Sequence, residues 1–236
     1  VFKPVTEICQ TVTGVSAPVL FLDTCILLDI IRLPYRYTLD LQSCAAAKNI
    51  IDNSSVENRK VWLATSETVH GEWEANAQSV QSELDAEISN VEKTRSRIFS
   101  IASDLLNKPY DPGHNTEMIN LGSALLSMSE KLLNTCEIAS VEEKHSYAGM
   151  YRVRKNIPPA KRGKPEAQDC EIFETFLALG HALRQNGFND RICFVTSNTN
   201  DYCLTKKCLV QNDLDKIEAE FVTNLQWAGA IADGRA

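Results

Sequence analysis

The chain has 236 residues, 44% of them hydrophobic and 23% charged, enough to bury one sizeable core and ordinary for a soluble globular protein. Its net charge of −7 argues against nonspecific coating of nucleic acid, because phosphate binding runs on Lys and Arg. The longest apolar stretch, 17–31, is broken by Asp23 and Asp29 and is too short to span a bilayer, which argues against a membrane protein. No signal-peptide pattern stands near the start, although a chain beginning at Val1 rather than Met is compatible with a removed leader.

In chain order, 18–22 is the first expected strand, a β-branched and apolar run that ends at Asp23. Ile26, Leu27, Ile30 and Ile31 then mark a helix that Pro34 should stop. A second helix is expected over 37–51 and a short strand over 61–64, with Thr65 and Ser66 placed to cap a third helix. That third helix is long: Val69, Trp73, Ala77, Val80, Leu84, Ile88, Val91, Ile98, Ile101 and Leu105 recur mostly at three and four residues, one apolar stripe along its length. Pro109 and Asp111-Pro112-Gly113 break it, and 116–139 reads as its return partner. These two make an antiparallel helical hairpin, packed stripe to stripe, inserted at about 75–139.

From 151 to 165 the chain carries six basic residues (Arg152, Arg154, Lys155, Lys161, Arg162, Lys164) and no acid, which leaves −13 on the rest. A basic loop on an acidic protein suits local contact with a phosphate chain, and equally suits a solvated surface. Residues 168–183 read as an amphipathic helix, and Gly187-Phe188-Asn189-Asp190 turns into a second buried strand, 192–195. The tail, 221–231, is expected to add a short final strand and helix, although its pattern is too mixed to place them. Alternating strands and helices give an α/β fold with a mainly parallel sheet in a single domain, 1–236.

The eight cysteines are scattered, and Cys25, Cys170 and Cys193 read as small buried residues of a reduced, cytoplasmic protein. Cys203 and Cys208 lack the second pair that a zinc site needs. No nucleophile elbow, Walker loop or dinucleotide fingerprint is present, so hydrolase triads and nucleotide cofactors are disfavoured. The four histidines form no nucleophile-and-base set; His70 lies two residues from Glu72 on one helix, so their side chains diverge.

Four acids stand out by position. Asp23 ends the first strand, Glu72 lies in the first turns of the long helix, Asp169 opens the helix after the basic loop, and Asp201 follows the second buried strand. In a parallel sheet, strand ends and helix starts share one rim, where ligands bind. Acids after strands often do no more than cap helices, but four that converge repel. At about 4 Å two like charges cost on the order of 4 kcal/mol even at an effective dielectric of about 20. Such a group stays ionised only around a cation, or else some of its members take up protons, and all-oxygen ligation suits Mg²⁺ or Mn²⁺.

The segments Val19-Leu20-Phe21-Leu22-Asp23-Thr24, Val69-His70-Gly71-Glu72, Gln168-Asp169-Cys170-Glu171-Ile172 and Phe194-Val195-Thr196-Ser197-Asn198-Thr199-Asn200-Asp201-Tyr202 resemble, in the same order, the signature of PIN-domain nucleases. The resemblance runs from about residue 18 to the end; the first and last segments are its most specific parts, and Glu67 and Glu74 are near rivals to Glu72. It implies a PIN-like three-layer fold, here with the helical insertion of the larger bacterial variants, and metal-dependent cleavage of a phosphodiester, most often in RNA. Asp23, Glu72, Asp169 and Asp201 would be both metal ligands and catalytic groups, with Glu171 and Glu174 as supplements to Asp169. Thr196 and Asn198 are candidates to orient a carboxylate or a water, against an ordinary turn role. Arg154, Lys155, Arg162 and Lys164 are candidates to hold the substrate backbone, and Tyr151 and Tyr202 to stack on bases, against a packing role.

The reading is therefore a Mg²⁺- or Mn²⁺-dependent endoribonuclease acting on RNA, with single-stranded DNA as the other substrate it admits. The alternative is an inactive PIN-like scaffold for RNA or protein. A haloacid-dehalogenase-type phosphatase is disfavoured because Cys25 stands two positions after Asp23, where that chemistry needs an acid. A protein partner or a homodimer stays open.

Overall fold

The computed structural model describes residues 1–110, 113–161, 163, 166–204 and 207–235. The first expected strand starts near 18, yet the chain already forms β1 (Phe2–Lys3) and α1 (Val5–Thr13), whose buried Val5, Ile8, Cys9 and Val12 repeat at helical spacing. Then come β2 (Val19–Leu22) and α2 (Thr24–Arg32), which ends two residues before Pro34. The second helix, α3, spans Ser43–Asn53 rather than 37–51; Asp40 accepts from the backbone N–H of Gln42 and holds the preceding segment in a turn.

β3 (Trp62–Ser66) leads directly into α4 (Glu67–Leu106), where the Ser66 side chain accepts from the Val69 N–H as the expected cap. After a 3₁₀ turn at Thr116–Ile119 come α5 (Leu121–Asn134), β4 (Glu137–Ala139) and α6 (Glu143–Lys155). The expected return helix over 116–139 is thus a turn, a helix and a sheet strand. The expected basic loop is partly the end of α6. α7 (Ala167–Gln185), β5 (Ile192–Val195) and α8 (Thr199–Tyr202) come next. A small hairpin of β6 (Cys203–Leu204) and β7 (Lys207–Cys208) leads to α9 (Gln211–Asp215), and the tail resolves into β8 (Ala219–Val222) and α10 (Leu225–Ala232).

Among the described residues the main sheet has six strands in the order β1-β4-β3-β2-β5-β8, parallel throughout. Every residue of β2, β3 and β5 is buried, as parallel strands covered on both faces must be. From β2 the chain steps outward to β3 and β4, then returns to β5 and β8 on the other side. Right-handed crossovers in opposite directions put the helices on opposite faces. α2, α3, α4, α5 and α10 pack among themselves, and α1 and α6 both pack on α7, which is the three-layer α/β arrangement. The reversal falls between β2 and β5, a switch point of the sheet, where a crevice opens at the carboxyl ends of the strands.

The helical excursion differs from a stripe-to-stripe hairpin. At 40 residues α4 is about 60 Å long, against about 21 Å for the 14 residues of α5. α4 runs on to Leu106, but the returning chain meets it again only at Glu92, whose carboxylate takes hydrogen bonds from the Thr116 N–H (3.2 Å) and hydroxyl (2.8 Å). Beyond that tie Ile98, Ile101 and Leu105 stay exposed. The inner half is core: Trp73 Nε1 donates to Ser129 Oγ (2.8 Å), which donates on to the Leu27 carbonyl (2.8 Å), joining α4, α5 and α2. No helix among the described residues is long and apolar enough to cross a membrane.

Candidate active site

Residues Val19 to Leu22 pair in register with Ile192 to Val195, so these two strands end side by side. The ladder continues one step further, with the Asp23 N–H donating to the Val195 carbonyl (3.0 Å) and the Thr196 N–H to that of Val222 (2.9 Å). Asp23 and the segment that opens with Thr196 therefore leave the sheet at the same rim.

Asp23 is buried and caps α2, its Oδ1 accepting from the Thr24 N–H at 2.7 Å. Its Oδ2 accepts from Thr196 Oγ1 (2.6 Å) and Cys25 Sγ (3.2 Å). Burial nevertheless raises its pKa above the ordinary carboxylate value, against the pull of these donors. Thr24 turns its hydroxyl the other way and donates to Glu72 Oε2, which brings the second turn of α4 to Asp23. Burial likewise raises the pKa of Glu72, with the charge of Asp23, Glu166 and Glu171 adding to it. The neighbouring acids of α4 are engaged elsewhere: Glu67 accepts from the Val141 N–H (3.1 Å), and Glu74 is exposed beside His70 (3.5 Å).

Carboxylate oxygens of Glu166, Asp169 and Asp201 lie within 4.8 Å of one another. Burial and the charges of Asp23, Glu166, Glu72 and Asp201 push the pKa of Asp169 up to about 7. Asp201 is buried on α8, with Oδ2 taking a hydrogen bond from Asn198 Nδ2 (2.9 Å) and Oδ1 facing the Lys161 ammonium at 3.1 Å. Lys161 also donates to the Asn200 carbonyl. Thr196 and Asn198 thus each hold one of the acids picked out from the sequence, Asp23 and Asp201.

The other expected residues divide. Glu171, two residues after Asp169 on α7, accepts from the hydroxyls of Thr68 (2.6 Å) and Ser146 (2.5 Å). Glu174 lies apart, taken by Arg152, a buried residue that also donates to Asp213 (2.8 Å) and to the Pro158 carbonyl (2.6 Å). Arg152 therefore belongs to the packing of α6 on α7 and α9, which removes one cation from the expected basic loop. Arg154 and Lys155 are exposed at the end of α6, whereas Arg162 and Lys164 lie outside the described residues. Tyr202 is fully buried among Phe173, Phe194 and Phe221 and cannot stack on a base. Tyr151 is exposed.

Glu166 and Lys161 were not among the expected site residues. Glu166 stands three residues before Asp169, one helical turn, but outside any periodic pattern. Its backbone takes a positive φ of 33°, uncommon for a residue with a side chain, and backbone outliers of this kind gather at functional sites. The donor set is all carboxylate and partly buried, and burial together with the neighbouring charges holds Asp169 far above its ordinary pKa. That is the chemistry of a site for a hard divalent cation.

A family model for the PIN domain matches residues 20–202, well over half of the chain. No curated protein and no solved structure matches it. Members of that family are generally nucleases, typically dependent on divalent metals, and they act on nucleic acid. The matched span runs from β2 through Asp201, taking in every acid of the site, and on this ground the chain belongs to the PIN-domain family.

Proposed function

We propose that this protein is a Mg²⁺- or Mn²⁺-dependent endoribonuclease, and that Asp23, Glu72, Asp169 and Asp201, together with Glu166, form its catalytic centre. The observation that carries this reading is the crowding of acids from four separate parts of the chain at one rim of a parallel sheet, inside the matched PIN span. Glu166, Asp169 and Asp201 would hold the ion, with Asp23 and Glu72 completing the ring of negative charge. A bound divalent ion there supplies Lewis-acid polarisation of the phosphate and lowers the pKa of a bound water.

The remaining chemistry belongs to the side chains. Thr196 and Cys25 fix Asp23 Oδ2, and Asn198 fixes Asp201 Oδ2, so these carboxylates enter the reaction already oriented. Lys161, beside Asp201, places positive charge where a phosphate would approach. Arg154, Lys155, Arg162 and Lys164 are proposed to follow the substrate backbone.

The test is cleavage of single-stranded RNA by purified protein with Mn²⁺, run beside single-stranded DNA of the same sequence. Asp23→Asn and Asp201→Asn should each lower the rate by at least a factor on the order of 10³. Wild-type rates in both variants would show the assignment to be wrong. The inactive-scaffold reading predicts in addition that Mn²⁺ leaves the melting temperature unchanged.

A further inference from the structure

A polar groove of about 510 Å³ lies beside the acidic group on the β8 side of the rim. Its walls come from α2, from the segment between α2 and α3, and from the loops after β5 and β8. One residue separates it from the acids. Ser197 Oγ donates to Asp29 Oδ2 in the groove wall (2.6 Å), and the Ser197 N–H donates to Cys25 Sγ (3.2 Å), the thiol that donates to Asp23.

The lining has a definite chemistry. Arg36 (3.2 Å) and Arg32 (3.6 Å) both face Asp29, and Asp40 adds a second acid, so the groove has no surplus of positive charge to draw a phosphate and leaves that role to the cations at the acidic site. Thr38, Ser43, Thr199 and Gln226 offer neutral donors and acceptors, and Gln226 Nε2 is already turned onto Ser43 Oγ (2.8 Å). Buried Ile26 and Leu225 give it an apolar floor. The Arg36 guanidinium, held by Asp29 at 3.2 Å with about half of its side chain exposed (48%), presents a plane on which a base can stack. The volume is in the range of small-molecule pockets, about 300–1,000 Å³.

We propose that this groove receives one unpaired nucleotide of the substrate strand, next to the scissile phosphodiester, and reads its base through Asp29, Arg36, Thr199 and Gln226. The inference rests on the nuclease reading for the word scissile; the groove as a single-strand nucleotide site can be tested apart from it. A base locked in a duplex cannot enter a side groove, so the site takes an unpaired strand.

The experiment has a binding arm and a cleavage arm. Thr38 is exposed on the groove, so Thr38→Trp fills the space with little burden on folding, which an unchanged melting temperature checks. In the Asp201→Asn background with Mg²⁺, fluorescence anisotropy of a labelled random-sequence single-stranded RNA should show at least tenfold weaker binding when Thr38→Trp is added. Equal affinities, or no RNA binding in either protein, would overturn the proposal whether or not the wild type cleaves. In the cleavage arm, sequencing of cut ends from wild type should show a base preference at one position beside the cut, and Arg36→Ala should flatten it. An unchanged preference in Arg36→Ala also overturns the base-reading role. Weakened binding by Thr38→Trp in a protein that cuts no RNA would keep the nucleotide site and reject the nuclease reading, so the two failures are distinguishable.

Discussion

Asp169 shows how a site can strain the fold that carries it. Its carboxyl has an ordinary value of 3.8 and is raised to about 7 in the fold, first by burial and then by Asp23, Glu166, Glu72 and Asp201. The folded chain therefore binds this proton more tightly than the unfolded chain. The stabilisation is complete below the lower value and is lost as pH rises through the higher one. Asp23 and Glu72 shift in the same direction and add the same sign. Asp169→Asn should thus stabilise the metal-free protein at about pH 8, by a few kcal/mol, and change little at about pH 4. Urea denaturation in EDTA at the two pH values checks this; a variant weaker than wild type at the higher pH contradicts it. Thr196→Val keeps the shape but removes the hydroxyl that holds Asp23 Oδ2, and should lower cleavage by about 10- to 100-fold with the fold intact, by rate measurement and circular dichroism. At this scale the sequence showed Asp23 and Asp201 clearly, since each comes soon after a buried run. It did not show Glu166, because an acid one turn ahead of a helical acid looks like any solvated first-turn charge.

The start of α7 carries Asp169, and its position depends on α6. A Cβ at Gly149 would meet the backbone of Glu171 at 3.0–3.2 Å and that of Cys170 at 3.3 Å, so a glycine lets α6 lie directly against the first turn of α7. Gly149→Val should cost about 1–3 kcal/mol by overpacking and weaken Mn²⁺ binding by displacing Asp169, measured by chemical denaturation and metal titration. Intact metal affinity in a destabilised Gly149→Val would separate the packing role from the site. On the opposite face, Ser129→Ala leaves the Trp73 indole N–H without its acceptor and the Leu27 carbonyl without its donor, and should cost about 1–3 kcal/mol in the same assay. α4 itself was legible from its stripe, including the Ser66 cap. The shortness of its return partner was not, because the point where the chain rejoins α4 hangs on Glu92 meeting Thr116 across a break that sequence spacing does not encode.

Across the whole molecule, the two halves of the sheet meet at β2 and β5, and the aromatic cluster of Phe21, Phe173, Phe176, Phe194 and Tyr202 fills the layer behind the acids. Ring pairs at 5.0–6.1 Å each add about 0.5–1.5 kcal/mol beyond buried area, which gives the charged rim a rigid base. A cation that binds only the folded chain should then stabilise the molecule as a unit. Mn²⁺ at about a hundred times its dissociation constant should contribute about 2.7 kcal/mol, read as a rise in melting temperature that Asp169→Asn abolishes. An equal rise in that variant would place the ion elsewhere. The α/β class, the buried parallel strands β2 and β5, and the acids near their ends were legible along the chain, because burial on both faces leaves an apolar run and strand ends are punctuated by polar residues. The place of the tail strand in the sheet, the sheet identity of Glu137–Ala139, the removal of Glu174 into an ion pair with the buried Arg152, and the joining of Glu166 to the acids were decided only in three dimensions. Each depends on which elements pack together across long stretches of chain, and periodicity along the chain carries no record of that.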